Sequence, residues 1–503
     1  MNNRKGKTMT YKAASIVKFQ KWALTVSLST VVALSSPLHA NAQAPLMMED
    51  NGAIFMDAPP APMLNDFPSV VGDTPRMPAI NGQALTLRDA IAIGMNTNPE
   101  TGVVQTNRRA TDEELNQARA LYLPSLDLRV DGGLEHSDDP GTRGGIDDDD
   151  EENLWRYDAS LTLTQMLFDG FETKYENTRQ KMRVLSASNR VRETAELVGL
   201  AITESYLEVM RQREILRISR DNVADHIVIL EQIEDSEGAG RSTNADLQQA
   251  RARLASARAQ EASIRQALRV AEASFIREVG DAPGDLVMPM VPLDSIAPDL
   301  EREVKEALAQ SPTLDIFEAD IKVAGAEYEA AKATFYPQVD LQLNARQGHD
   351  LSGVEGRDTS ASALVVMDWN LYRGGGDTAR VREFISREAQ SKEARAEAAR
   401  GVENNVRQTW AQMVAAGERA RQFTAQADAN TEVVKAYRDQ FDLNRRSLLD
   451  VLDSQNELFV SRSNAVNAHF VEMFAVYSLM ALKGELLPTM DVPYPRESHP
   501  AKM

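Results

Sequence analysis

The residues best suited to proton transfer or metal ligation are six histidines, and they are scattered: His39, His136, His226, His349, His469 and His499. Gly374-Gly375-Gly376 could cradle a phosphate, but no Lys-Ser/Thr follows to complete a phosphate loop. The run reads instead as a strand-to-helix hinge. Residues 137–153 gather Asp138, Asp139, Asp147, Asp148, Asp149, Asp150, Glu151 and Glu152, a set that could hold a divalent cation. The regular Asp-x-Asp-x-Asp-Gly spacing of a calcium loop is missing, and a solvated loop is the simpler reading. These patterns predict no enzyme, no metal centre and no cofactor.

The elements that must position any functional side chain are written twice. Pro99 and Pro124 bracket one helix-like stretch, and Pro312 and Pro337 bracket another with the same separation of 25. Leu167-Phe168-Asp169-Gly170 answers to Leu371-Tyr372-Arg373-Gly374 at an offset of 204. The same offset carries Ala195, Val198, Ile202, Tyr206 and Val209 onto Ala399, Val402, Val406, Trp410 and Met413. An unchanged offset over such a length means one long helical unit duplicated without insertion.

The bulk properties narrow the compartment. Residues 1–44 read as a signal peptide: six basic residues, an apolar run from Trp22 to Leu34, and small residues at Ala40, Ala42 and Ala44 where cleavage can follow. Removing that segment takes the net charge from −20 to −26, a sign that argues against nucleic acid as a partner. Residues 45–84 are rich in Pro, Met, Ala and Asp and read as a flexible leader. Cysteine is absent, so neither disulfides nor an amino-terminal lipid anchor is expected. No other stretch approaches ~18 uninterrupted apolar residues, which predicts no transmembrane helix. A membrane would have to be met with β-strands.

Such strands are legible. Leu126, Leu128 and Val130 alternate with Asp127, Arg129 and Asp131, and Tyr157, Ala159, Leu161 and Leu163 with Asp158, Ser160, Thr162 and Thr164. Val339, Leu341, Leu343 and Ala345, then Ala361, Ala363, Val365, Met367 and Trp369, continue the pattern in the second half. The expected organisation is a first repeat over 85–280: a helix, a hairpin 125–168, a long helix 172–235 and a return helix 244–279. A linker 281–299 leads to a second repeat over 300–486, with hairpin 338–372, long helix 376–440 and return helix 447–486, and a tail over 487–503. In the long helix Val191, Ala195, Val198, Ile202, Val209 and Leu216 form a coiled-coil seam. Some 64 residues of helix span on the order of 95 Å. Four strands cannot close a membrane barrel, whose smallest forms have about eight; two copies of the chain would supply eight strands, three would supply twelve.

The twofold helix–hairpin–long helix–helix pattern resembles the TolC family of outer-membrane channel proteins. The resemblance runs over about residues 85–486, through Leu85–Val130, Leu300–Leu343 and above all the stretch from Asn444-Arg445-Arg446-Ser447-Leu448-Leu449-Asp450-Val451-Leu452-Asp453 to Phe459. It implies a mainly α fold with a small membrane β-barrel: a homotrimer whose twelve-stranded barrel continues as a helical tunnel into the periplasm. It also implies partners, namely a periplasmic adaptor (membrane fusion protein), an inner-membrane transporter of ABC or proton-driven type, and outer-membrane lipid.

The resemblance assigns the turns near 236–244 and 444–447 to a closed tip. Asp450 and Asp453 match its acidic pair; three apart on a helix, they share a face, and a trimer would stack them as two cation-favouring rings. Arg446 and Asp246 match an arginine–aspartate latch. Phe441 stands where a gate tyrosine is often found, and Ala245 where a hydroxyl residue can precede Asp246. The tip stretch points toward type I protein secretion, with multidrug or metal efflux as the alternative duct. A soluble periplasmic coiled-coil adaptor is the competitor from another class, and it should carry a compact β-domain between its helical arms.

Overall fold

The computed structural model describes residues 84–138, 152–443 and 445–500. The expected signal peptide, all of the leader but Ala84, and most of the acidic loop lie outside the described residues. Each half opens on two helices broken by proline. Thr86 caps α1 (Leu87–Thr97), and Asn98 caps α2 (Pro99–Ala120), whose first residue needs no N–H donor. Asp299 caps α5 (Leu300–Gln310), and α6 (Pro312–Ala331) again starts on a proline, here without a side-chain cap from Ser311.

After α2 come β1 (Ser125–Ser137) and β2 (Glu152–Phe168); after α6 come β3 (Gln338–Leu351) and β4 (Val354–Asp368). They form a single antiparallel sheet in the order β1-β2-β3-β4. Period-two patterning fixes its faces. Leu126, Leu163, Leu343 and Ala363 lie in one transverse row, and Leu128, Leu161, Ala345 and Ala361 in another on the same face. The opposite face carries Arg129, Ser160, Arg346 and Ser360 in register. Arg156 and Arg346 bind Asp158, Asp131 and Glu135 there, so the ion pairs of the sheet gather on that side, with Arg357 of β4 a charge on the other. The apolar side is bare: Leu126, Leu128, Val130 and Trp155 are all exposed, and β1 and β4 each keep one unpaired edge within the chain.

The sheet hands over to the helices through tight turns. At Gly170 (φ 68°) a Cβ would stand 2.8 Å from the Ala333 carbonyl oxygen, so the turn into the next helix requires glycine. From there run α3 (Glu172–Gly238) and α7 (Gly376–Asp442), each 67 residues, and the return helices α4 (Asn244–Val279) and α8 (Leu448–Lys483), each 36 residues. At 1.5 Å per residue the long pair reach about 100 Å. The seam from Val191 to Leu216 is buried along its whole length. α8 is long and apolar enough, by length and composition, to cross a membrane, where the sequence reading expected no such helix. Its apolar residues pack instead on α3 and α7, and about half of that window is buried.

The main core lies where the two halves meet, around Ile91, Val198, Ile202, Tyr206, Phe275, Val476, Tyr477 and Leu486. Polar ties lock it to the linker and the tail. Tyr206 donates to the carbonyls of Leu85 (2.8 Å) and Val287 (2.6 Å). Lys483, fully buried, donates to the Ser295 carbonyl (2.6 Å) and pairs with Glu485 at 3.1 Å and Glu303 at 3.3 Å. The return helix stops at Lys483 rather than 486, because Gly484 turns the chain at φ 74°. Beyond it α9 (Leu486–Thr489) and Tyr494 fold back onto Glu196 of α3. Buried Glu196 accepts from the Leu486 amide (3.0 Å), the Leu487 amide (3.4 Å) and the Tyr494 hydroxyl. Burial nevertheless pushes its carboxyl up to about 7.

Candidate gate at the helical tip

Both long hairpins contribute, next to their turns, to one apolar cluster: Ile229, Ile233, Leu247, Ala250, Leu448, Val451 and Leu452, with Tyr437 and Phe441 packed against it. Phe441 therefore serves the tip by apolar contact, in keeping with its missing hydroxyl. Short polar residues start both return helices. Thr243 and Asp246 form a reciprocal capping box on α4, and Ser447 accepts from the Asp450 amide (3.2 Å) on α8.

The capping contacts occupy two of the expected site residues. Asp246 accepts from the Thr243 hydroxyl (2.7 Å), the Thr243 amide (3.1 Å) and the Ser242 hydroxyl (3.4 Å). These donors, the Thr243 hydroxyl foremost, hold its carboxyl below the usual range. The hydroxyls absent at Ala245 are thus supplied from 242 and 243. Asp450 accepts from the Ser447 hydroxyl at 2.9 Å.

Arg446 and Asp246 do not pair within the chain. The Arg446 guanidinium sits over the Tyr437 ring, 3.8 Å from its centroid, with its Nε 3.8 Å from Asp450. A cation on an aromatic face is a real tether. Asp453 is held by a residue that the sequence reading missed: Arg253 of α4, at 2.8 Å. Arg253 stands seven residues after Asp246, two helical turns along one face, and that spacing was the available signal.

A second junction sits above the first. Arg438 of α7 pairs with Asp225 of α3 at 2.9 Å. The buried Gln455 of α8 lies against both; with its amide oriented to match them, it donates to Asp225 (3.2 Å) and accepts from Arg438 Nε (3.0 Å). Next to Asp225 is buried His226, whose Nδ1 has no partner among the described residues. Burial holds this imidazole below its ordinary pKa; Asp225 opposes the shift, and Arg253 and Arg438 add to it. Among the described residues no cluster of His, Asp and Glu could hold a metal ion.

Tip, paired long hairpins and one-sided sheet occur together in known proteins. The family model "Outer membrane efflux protein" matches residues 95–280 and again residues 304–484. The chain belongs to the outer membrane efflux protein family. Like other members of that family, which includes the TolC channels, it is an outer-membrane protein whose helices extend into the periplasm. It is 25% identical over 427 residues to the outer membrane efflux protein BepC of Brucella suis, covering 81% of this chain and 88% of BepC. It is also 25% identical over 401 residues to the alkaline protease secretion protein AprF of Pseudomonas aeruginosa, covering 77% of this chain and 82% of AprF. The solved outer membrane protein VceC of Vibrio cholerae shares the fold with a TM-score of 0.68 over 80% of this chain and 96% of VceC, at 14% identity. Members of this efflux and secretion family are channels rather than enzymes.

Proposed function

We propose that three copies of this chain assemble into an outer-membrane exit duct, each contributing four strands to a twelve-stranded barrel. The observation that carries this reading is the sheet: apolar rows on one face, ionic rows on the other, and an open edge on both β1 and β4. In lipid every backbone group needs a partner, so such a sheet must close on copies of itself. A charged face turned inward then lines a water-filled lumen, and the long helices continue it into the periplasm.

The cargo is protein, and the machine is of the type I secretion kind. Channels of this family work in tripartite systems with an adaptor and an inner-membrane transporter. The Arg446-to-Asp453 tip and the kinship with AprF support the secretion reading. BepC, an outer membrane efflux protein matched at the same identity, supports the second reading, a multidrug or metal efflux duct. At the tip, Asp450 and Asp453 stand at the two acidic ring positions of the constriction, and Arg446 with Asp246 latches neighbouring chains rather than one chain to itself.

Native mass spectrometry of the mature chain in detergent tests the assembly, with a threefold mass expected and a monomer contradicting it. Expression in cells lacking their own duct separates the cargoes. Restored secretion of a protein substrate through an ABC transporter and its adaptor is the expected result. Restored dye efflux alone would favour the second reading.

A further inference from the structure

The acidic tip is not acidic throughout. Asp450 and Asp453 share a face of α8, but their environments differ. Asp450 takes a neutral donor, the Ser447 hydroxyl at 2.9 Å, and its nearest cation is Arg446 at 3.8 Å, which sits over the Tyr437 ring. Asp453 receives the Nη2 of Arg253 directly at 2.8 Å from the neighbouring hairpin. Both partners of that pair keep solvent access, with side-chain exposures of 41% and 52%. The pair is therefore open to solvent in the single chain.

We infer that Arg253 is a selectivity-setting residue: it cancels the charge of Asp453, so cation preference at the tip rests on Asp450. The inference builds on the channel reading. With three copies around an axis, each Asp453 carboxylate is matched by a directly bonded guanidinium, while each Asp450 has only the looser approach of Arg446 at 3.8 Å and keeps more of its field. A matched carboxylate adds little field for small ions, whereas an unmatched one concentrates counter-ions at the constriction. An exposed pair is also screened by salt, so its influence fades between 0.1 M and 1 M as the Debye length falls from about 10 Å to about 3 Å.

Planar-bilayer recordings at 0.1 M KCl test this with four variants and two readouts: the K+/Cl− permeability ratio and block by hexaamminecobalt(III). Arg253→Ala frees a carboxylate and should raise the permeability ratio and tighten the block roughly threefold or more. Asp453→Ala frees a guanidinium and should lower both. The double variant should return near wild type, and Arg253→Lys should match wild type. Conducting wild-type pores with Arg253→Ala unchanged would overturn the inference and leave the channel reading standing. So would a double variant that follows Asp453→Ala instead of reverting. Wild-type protein that forms no pores would overturn the channel reading itself, and the inference with it.

Discussion

Arg438 on α7 stands 2.9 Å from Asp225 on α3, and Gln455 of α8 lies against both, so three helices of the tip meet at one polar point. The apolar cluster below is small, and this junction adds a polar tie between the hairpins at that level. Both charged partners are over one-third exposed, which limits the pair to about 1 kcal/mol. Asp225→Ala should therefore loosen the tip without unfolding the chain. Amide hydrogen exchange across 430–442 should quicken severalfold, and unchanged protection would contradict the role.

The same junction should respond to acid through His226. Its pKa is depressed in the folded state, so the unfolded chain binds the proton more readily. The stability linked to it is complete above the unfolded value of about 6.5 and is lost as pH falls toward the folded one. Exchange at the tip should quicken between pH 7.5 and 5.5 in wild type and lose that dependence in His226→Gln. An equal response in the variant would assign the effect to other groups.

Glu196 should act with the opposite sign at the core. Its folded pKa is raised to about 7 by burial, so its contribution is complete below about 4.5 and lost as pH rises through 7. The tail strap of Leu486, Leu487 and Tyr494 is then firmest in mild acid. Thermal unfolding at pH 5.5 and pH 8 should differ less for Glu196→Gln than for wild type, by an amount of at most about 3 kcal/mol. The same difference in both chains would contradict the linkage.

Arg446 and Asp450 belong to the proposed gate. Arg446→Ala removes the contact with the Tyr437 ring and the proposed link between chains, and should raise single-channel conductance. Asp450→Asn should lower the cation preference severalfold, with conductance changed little. Wild-type behaviour in both would contradict the assignment of the gate to this end.

Much of this architecture is legible in the sequence because its periods are local. Alternation at Leu126–Asp131 and at Ala361–Trp369 marks strands, and the seam from Val191 to Leu216 marks the long helix. The register joining Leu163 to Leu343 is not local, since it pairs the two halves across some 180 residues. The tip divides in the same way. Asp450 and Asp453 are visible from their motif, but Arg253, Arg438 and His226 acquire their meaning only when α3, α4, α7 and α8 are packed. Asp246 was legible as a tip residue, but the cap that its carboxylate also makes on its own helix start, through Thr243, emerges only from the local geometry of the turn. The strap at Tyr494 carried no periodic signal, because a single aromatic after a glycine stop resembles any tail.

The central claim is that this chain makes a pore, and conductance measures that directly. Mature protein purified in detergent and added to a planar lipid bilayer should give discrete, cation-selective steps, with small conductance in the closed-tip state. A preparation that stays soluble without detergent and leaves the bilayer silent would contradict the account and favour a periplasmic coiled-coil adaptor.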